Sequence, residues 1–491
     1  MSHWIIAPVV LPAVLAALIV LLARGNLAAQ RGIALVGAVV LLAIAALLLL
    51  ASTAGPEVYR LGNWPAPFGI VLVLDRLSAL MLALVAGLSV PVLIYVIGTG
   101  WDARGRHFHA LFLFQLMGLN GAFLTGDAFN LFVFFEVLLI ASYGLMIHGG
   151  GRDRLRAGVQ YVAFNLLGST LFLIALATIY AVTGTLNMAD LAGKVAALPE
   201  GEAGLIRAAA VMLMLVFAVK GALVPLQFWL PGTYANAPGP VAALFAVMTK
   251  VGAYAVIRMG TLVFPGLWPL IGGMLEPAAV ATIVLGALGV LGSRNLARLV
   301  AFAAIGSMGL LFLAVSAFSV QATAAALYYL IHSTLAAAVL FLLADLVLER
   351  RGGLALQAGA PMSQLGLIAG LFMAGAVAMA GMPPLSGFVG KLLVMQAMPA
   401  AWVWTVILLA SFVTMLGLAR AGSVLFWKAH ETGEMAPHPA QPLAFGAVGL
   451  LVAGLIGLTV FAGPVTAWLT LTAEALHAPA AYIAANGLES P

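Results

Sequence analysis

RAAAVMLMLVFAVKGALVPLQFWLPGTYANAPGPVAALFAVMTKVGAYAVIRMGTL, residues 207–262, decides how this chain folds. Two apolar runs flank a turn rich in proline and glycine, and each run carries one lysine near its middle, Lys220 and Lys250. At the centre of a bilayer a lysine costs at least ~2.5–3.5 kcal/mol on insertion scales, so its presence there points to function. Pro225 follows Lys220 by five residues and breaks the helix beside the charge, because proline has no backbone donor. Broken backbone at membrane depth is tolerated only against protein or water. Together these features describe an ion pathway.

Composition sets the frame. Of 491 residues, 64% are hydrophobic and only 8% charged, with a mean hydropathy of +1.15. Soluble domains carry about 25% charged residues, so this chain is a polytopic membrane protein. Its net charge of +5 is no nucleic-acid footprint, since most Lys and Arg lie in short loops where they set topology. Zero cysteines excludes disulfides and cysteine-ligated iron–sulfur clusters, which places any such redox chemistry in another chain.

Apolar spans of about 20 residues, the length that crosses a bilayer, run from Trp4 to Leu22 and at 32–52, 75–98, 108–126, 130–148, 157–183, 207–230, 239–262, 274–291, 297–317, 320–348, 363–396, 401–427 and 443–471. The expectation is an all-α fold of 14 transmembrane helices. The first run has no basic residue before it and ends at Arg24, the reverse of a signal peptide, so it reads as a retained helix. One set of alternate loops holds thirteen basic residues: Arg24, Arg31, Arg104, Arg106, Arg152, Arg154, Arg156, Arg294, Arg298, Arg350, Arg351, Arg420 and Lys428. The other side holds five, Arg60, Arg76, Lys194, Arg207 and Arg258. The positive-inside rule therefore assigns the first set to the cytoplasm and both termini to the opposite face.

No loop is long enough for a soluble domain, so residues 1–491 read as one membrane domain. The parts are three N-terminal helices (1–98), a first repeat (108–262), a second repeat (274–427) and a C-terminal helix (443–471). Pro225 breaks the seventh span, and Gly381-Met382-Pro383-Pro384, followed by Lys391, breaks the twelfth. Two interrupted helices five spans apart match the inverted repeats of transporters, an odd number giving the units opposite topology.

The segments TGDAFNLFVFFEVLLIASYGL (125–145), VKGALVPLQFWLPGTYANAPGPVAALFAVMTKVGAYAVIR (219–258) and GMPPLSGFVGK (381–391) resemble the antiporter-like membrane subunits shared by respiratory complex I and the Mrp-type multisubunit cation/proton antiporters. The resemblance spans nearly the whole chain. LDRLSAL (74–80) and RNLARLVAFAAIGSMG (294–309) are similar to further motifs of this superfamily. Ser307 stands where some members carry histidine, and no relay role is assigned to it. GDAFNLFVFFEVLLIASY and Lys250 look most like the D-subunit, or PhaD-like, family of Mrp antiporters. The resemblance implies five-helix repeats at spans 4–8 and 9–13 and a polar axis along the membrane midplane. It also implies that Glu136 pairs with Lys220 and that Lys250, His332 and Lys391 continue a proton relay. Partners would be other subunits of an antiporter complex, Na+ or K+, protons and the lipid of a bacterial inner membrane, with no cofactor and no nucleic acid.

The residue types suit those roles. Burial and an opposite charge act against each other on a carboxylate or lysine, so a membrane Glu–Lys pair has two nearly balanced protonation states. A histidine passes protons on readily, its unperturbed pKa being about 6.5. Competing readings are a structural ion pair for Glu136, snorkelling for Lys391 and an interhelical hydrogen bond for His332. Asp127 reads as a helix cap rather than an ion-uptake group. Asp345 and Glu349 read as a solvated cluster beside Arg350 and Arg351, and His107 and His109 as interfacial rather than metal ligands. Asp75 and Arg76 read as structural partners of other helices or subunits. GGGRDR (149–154) lacks the phosphate-loop pattern and reads as a turn. A redox-linked proton pump and a scaffold without an ion path remain the alternatives to an antiporter subunit.

Overall fold

In the computed structural model, which describes residues 2–199, 203–431 and 437–488, every apolar stretch singled out above is helical. The helices are α1 (Ala7–Leu22), α2 (Leu27–Ala51), α3 (Arg76–Thr99), α4 (Phe108–Leu124), α5 (Ala128–Met146), α6 (Arg152–Thr183), α7 (Met188–Ala196), α8 (Gly204–Lys220), α9 (Trp229–Asn236), α10 (Gly239–Phe245), α11 (Met248–Leu262), α12 (Trp268–Gly292), α13 (Leu296–Ser316), α14 (Val320–Arg351), α15 (Leu365–Ala380), α16 (Ser386–Ala397), α17 (Ala401–Gly422), α18 (Pro442–Val460), α19 (Ala462–His477) and α20 (Ala480–Ala485). Among the described residues, ten helical segments are long and apolar enough to cross a membrane by length and composition.

The expectation of an all-α chain needs one correction. Strands β1 (Glu57–Arg60) and β2 (Val71–Leu74) form an antiparallel hairpin in the connection before α3, with Glu57 opposite Leu74 and Arg60 opposite Val71. The Gly126 amide donates to the Val71 carbonyl at 2.9 Å, which ties this hairpin to the turn between α4 and α5. Breaks are also more numerous than expected. The seventh span parts into α8 and α9 and the twelfth into α15 and α16, as the prolines require, but the eighth parts too, between α10 and α11. There the Tyr234 hydroxyl donates to the Phe245 carbonyl at 2.7 Å and occupies a backbone acceptor at the interruption. The last span parts at Phe461, because Pro464 has no N–H for the Val460 carbonyl.

Helix ends are set by local chemistry. Asp75 caps α3 through the Ser78 amide in a reciprocal capping box, Asp127 caps α5, Asn295 caps α13 and Ser319 caps α14. Small residues let backbones approach: a Cβ on Gly286 of α12 would lie 2.4 Å from the Gly306 Cα of α13. All residues of α11 are buried, whereas α6 and α17 expose Val159, Leu166, Leu167, Leu408, Leu409 and Phe412 in the manner of a lipid-facing surface. At 32 residues, α14 is about 48 Å long at 1.5 Å per residue. It packs on α10, α13, α15, α16, α18 and α19 and is the hub of the bundle.

One pattern recurs 168 residues apart. The Ala128 amide donates to Leu186 and the Met188 amide to Gly126; correspondingly, Leu296 donates to Leu354 and Leu356 to Arg294. Both pairs tie the cap of one helix (α5, α13) to the chain leaving the next (α6, α14), and α6 and α14 have the same length of 32 residues.

Asp75 finds its charged partner in Arg258 of α11 rather than in its neighbour Arg76. The Arg258 guanidinium donates to both carboxylate oxygens, at 2.6 and 2.8 Å, between the rings of Tyr254 and Tyr482. Burial alone would oppose an ionised Asp75, but the bidentate Arg258 pair compensates its charge. Arg258→Met should therefore leave a buried, uncompensated carboxylate and cost about 3–5 kcal/mol. Thermal unfolding in detergent is expected to show that loss, partly recovered in the double variant Asp75→Asn/Arg258→Met.

Candidate functional site

Glu136 and Lys220 are brought to one helix, α6, rather than to each other. Asn165 and Ser169 lie one turn apart on the same face of α6. The Ser169 hydroxyl donates to Glu136 Oε1, and Lys220 Nζ donates to Asn165 Oδ1 at 2.7 Å. Asn165 is itself held by its Nδ2, which donates to the Tyr161 carbonyl at 2.8 Å. Among the described residues no ion pair within 4.0 Å joins Glu136 to Lys220. The half-buried Glu136 nevertheless stands within electrostatic reach of the ammonium. Lys220 is the last residue of α8, where unsatisfied carbonyls favour a cation. The backbone freed by the break finds other partners: the Val224 amide donates to Thr282 of α12 at 2.9 Å, and Trp229 Nε1 to the Val219 carbonyl at 3.0 Å.

Lys250 sits in the first turn of α11, just past the unexpected interruption, and is only 1% exposed. Its ammonium has no hydrogen bond or ion pair among the described residues. The end of α8 is pressed against the same helix, because Gly252 has no side chain. A Cβ there would lie 2.6 Å from the Phe217 carbonyl and 2.8 Å from the Gly221 amide. Lys220 and Lys250 thus belong to directly packed elements.

His332, 0% exposed at the middle of α14, lies within electrostatic reach of both Lys250 and Lys391. Its Nδ1 shares a 2.9 Å hydrogen bond with the Ser386 hydroxyl at the start of α16. Nε2 faces the Ala378 carbonyl at the end of α15 without a well-aligned hydrogen bond. Lys391 Nζ donates to the Ala380 carbonyl and to the Ser411 hydroxyl of α17, both at 2.7 Å. Gly381, at φ 77°, makes that contact possible, since a Cβ would lie 2.5 Å from the Lys391 side chain. Beside the ammonium a cavity of about 30 Å³, lined by Ser307, Tyr329, Met379, Ser411 and Thr414, has room for water.

The five expected residues therefore fall into two connected groups: Glu136 and Lys220 around α6, and Lys250, His332 and Lys391 around α14. Sequence reasoning missed the neutral groups that seat them, Asn165, Ser169, Ser386 and Ser411. Asn165 carried a usable signal, an amide inside an apolar span; serines are too common in membrane helices to stand out.

Some of the other expectations hold and some change. Asp127 is the α5 cap, accepting from the Asn130 amide at 2.7 Å, and burial pushes its carboxyl up to about 6. His107 is exposed as expected, but His109 is fully buried and its Nε2 lies 2.9 Å from Asp102, which also receives both arms of Arg31. Burial works against ionisation of Asp102, but hydrogen bonds from Arg31 and His109 hold it well below the carboxylate range. Asp345 and Glu349 are no solvated cluster: Asp345 is buried under Tyr95 and Trp101, and Glu349 pairs with Arg104. The arginines beside them in sequence turn elsewhere, Arg350 to Gln364 and Gln441.

A family model described as NADH:quinone oxidoreductase/Mrp antiporter, TM, matches residues 125–417. The D-subunit of a probable K+/H+ antiporter of Rhizobium meliloti (strain 1021) is 39% identical, over 98% of this chain and 96% of its own. The D-subunit of the Na+/H+ antiporter of Bacillus subtilis (strain 168) is 36% identical over 99% of both chains. Among solved structures, a chain of the Mrp complex from Dietzia sp. DQ12-45-1b superposes with a TM-score of 0.86 at 27% identity, covering 99% of this chain and 100% of that one. A chain of respiratory complex I from Thermus thermophilus gives 0.82 at 27% identity, covering 96% and 99%.

The dependence of Lys220 on Asn165 is testable. A hydrogen bond to a charged group is worth about 1.5–3 kcal/mol. Asn165→Leu is thus expected to lower proton flux through the assembled protein about tenfold or more, the equivalent of ~1.4 kcal/mol. Native flux in that variant would show that the amide has no part in seating the lysine.

Proposed function

This chain belongs to the NADH:quinone oxidoreductase/Mrp antiporter family of membrane subunits, and on that premise we propose that it is the ion-translocating subunit of a multisubunit Na+/H+ or K+/H+ antiporter. Protons move along Glu136, Lys220, Lys250, His332 and Lys391. The single observation that carries this reading is the seating of buried lysines at helix breaks, in a chain whose whole length matches subunits named for antiport.

The chemistry follows from the seats. Lys220 and Lys391 are held by neutral oxygens of Asn165, Ser411 and a backbone carbonyl. A neutral acceptor does not lock an ammonium in its charged form as a carboxylate partner does, so each lysine is free to release its proton when a neighbouring charge changes. His332, between Lys250 and Lys391, accepts and returns a proton through either ring nitrogen. Glu136, close to Lys220 but not paired with it, is the charge whose approach or withdrawal switches that lysine. The membrane potential supplies about 2.3 kcal/mol per charge per 100 mV to this transfer.

The architecture that fits is fourteen crossings with both termini on the non-cytoplasmic face, and two inverted five-helix repeats at 108–262 and 274–427. The hydrogen-bond pattern that recurs between Ala128 and Leu296 supports the repeats. Asymmetric placement of the arginines supports the orientation. Partners are the other subunits of the complex.

The likeness to complex I favours a second reading, a proton pump driven by redox partners. Proteoliposomes holding the whole assembly distinguish the two. Na+- or K+-driven proton flux without any electron donor is expected, reduced at least tenfold in Lys220→Ala and Glu136→Ala after both are shown to assemble. Flux only with a donor such as NADH would favour the redox pump, and native flux in both variants would remove this chain from the ion path.

A further inference from the structure

Asp345 lies near the end of α14 on the side that the arginine distribution assigns to the cytoplasm, and is 2% exposed. Its Oδ2 accepts from the Tyr95 hydroxyl at 2.9 Å and from Trp101 Nε1 at 2.7 Å. Oδ1 is buried and has no hydrogen-bond partner among the described residues. Nor does any cation lie within 4.0 Å of the carboxylate among them. The nearby charges are committed elsewhere. Arg104 pairs with Glu349, and Arg154 donates to the carbonyls of His148, Gly150 and Asn236. Arg350, Glu349, Tyr95, Tyr234, Arg152 and Asp153 are the other titratable and charged groups around it or along the adjoining cleft.

The half-satisfied carboxyl opens on a cleft of about 330 Å³ where the two halves of the chain meet, lined by Asp153, Arg154, Tyr234, Asn236, Asn295 and Asp345. Gly239 of α10 packs directly on the carboxyl, which a residue with a side chain could not do, since a Cβ there would lie 2.6 Å from Cγ and 2.8 Å from Oδ1. An ionised Oδ1 needs a donor and a protonated Oδ1 needs an acceptor. Water in a polar cleft of this size serves both, so the group can change state without losing its partner. An alkali cation would require several further oxygen ligands and would face Arg152 and Arg154, which line the same wall. A proton requires only the carboxyl.

We propose that Asp345 is the proton-loading carboxyl of this subunit, exchanging protons with cytoplasmic water in the cleft between the two halves; this rests on the transport reading above. Asp345 stands on the same helix as His332, thirteen residues or about 20 Å away at 1.5 Å per residue. The turns between them, 336–344, are entirely apolar and buried. Along α14 the loading site and the lysine axis are thus separated by an apolar stretch.

The test uses the whole assembly in proteoliposomes, with Asp345→Asn, Asp345→Glu, Tyr95→Phe and Trp101→Phe. Asp345→Asn keeps an acceptor for Tyr95 and Trp101 but cannot carry the proton. It should lose at least tenfold of cation-driven proton flux while still assembling, and Asp345→Glu should restore most of it. Tyr95→Phe and Trp101→Phe should keep flux within about threefold while shifting its pH midpoint. Infrared difference spectra between acid and alkaline pH, recorded without any gradient, should show a carboxyl band absent only from Asp345→Asn. That band in native protein without cation-driven flux would sink the antiporter reading and keep the proton site. Native flux and an unchanged band in Asp345→Asn would overturn the site, as would flux lost equally in Tyr95→Phe, Trp101→Phe and Asp345→Glu, which would mark Asp345 as structural.

Discussion

Two of the three lysines buried in the apolar spans, Lys220 and Lys391, are given oxygen ligands from outside their own helices, which have none to spare. The rest of this structure is arranged around that constraint. Lys220 ends α8 and reaches the Asn165 amide of α6; Lys391 reaches the Ala380 carbonyl that the second break exposes. At Lys391 the break makes the site, since ending a helix frees carbonyls that a continuous helix would consume; at Lys220 the break places the ammonium at the helix end, where a cation is favoured. Proline and glycine in 221–228 and 381–385 thus shape the surroundings of these lysines as well as the fold. The carbonyl at Ala380 is reachable only because Gly381 carries no side chain.

The neutral character of these seats separates the axis from the ion pairs elsewhere in the molecule. Arg258 with Asp75, and Arg31 with Asp102, are bidentate pairs of full charges, built to stay ionised and to hold helices together. Lys220, Lys250, His332 and Lys391 have no carboxylate within 4.0 Å among the described residues. Two populations of buried charge therefore coexist in the chain, and partner chemistry distinguishes them. α14 links the two settings, carrying His332 in the axis and Asp345 at the cleft.

What the sequence made legible follows from the bilayer. Spans are readable because its thickness fixes their length, and ionisable residues inside them stand out because they are costly. All five residues of the proposed axis stand out this way, and so do the two breaks that contain proline. Features that depend on residues distant in sequence were not legible. The interruption at 246–247 follows from the Tyr234 hydroxyl, not from any glycine or proline there. Asp345 reads as solvated because Arg350 and Arg351 are its neighbours in sequence, whereas its actual partners, Tyr95 and Trp101, lie about 250 residues away. His109 misleads although its partner Asp102 lies only seven residues before it, because nothing in the sequence marks that pair as buried. The serines of the axis are invisible one by one and acquire meaning only from the lysine or carboxylate they touch.

If the buried ammonium groups carry protons rather than hold the bundle together, Lys250 is the place to test it most directly, because among the described residues no hydrogen-bond or ion-pair partner is seated on it. Lys250→Met keeps an unbranched side chain of nearly the same length and removes the ammonium. Proton flux and thermal stability should be measured together on the whole assembly. Flux is predicted to fall at least tenfold with stability unchanged or higher, since an unpaired buried charge is lost. Native flux, or a stability loss large enough to account for the missing flux, would contradict a proton-carrying role.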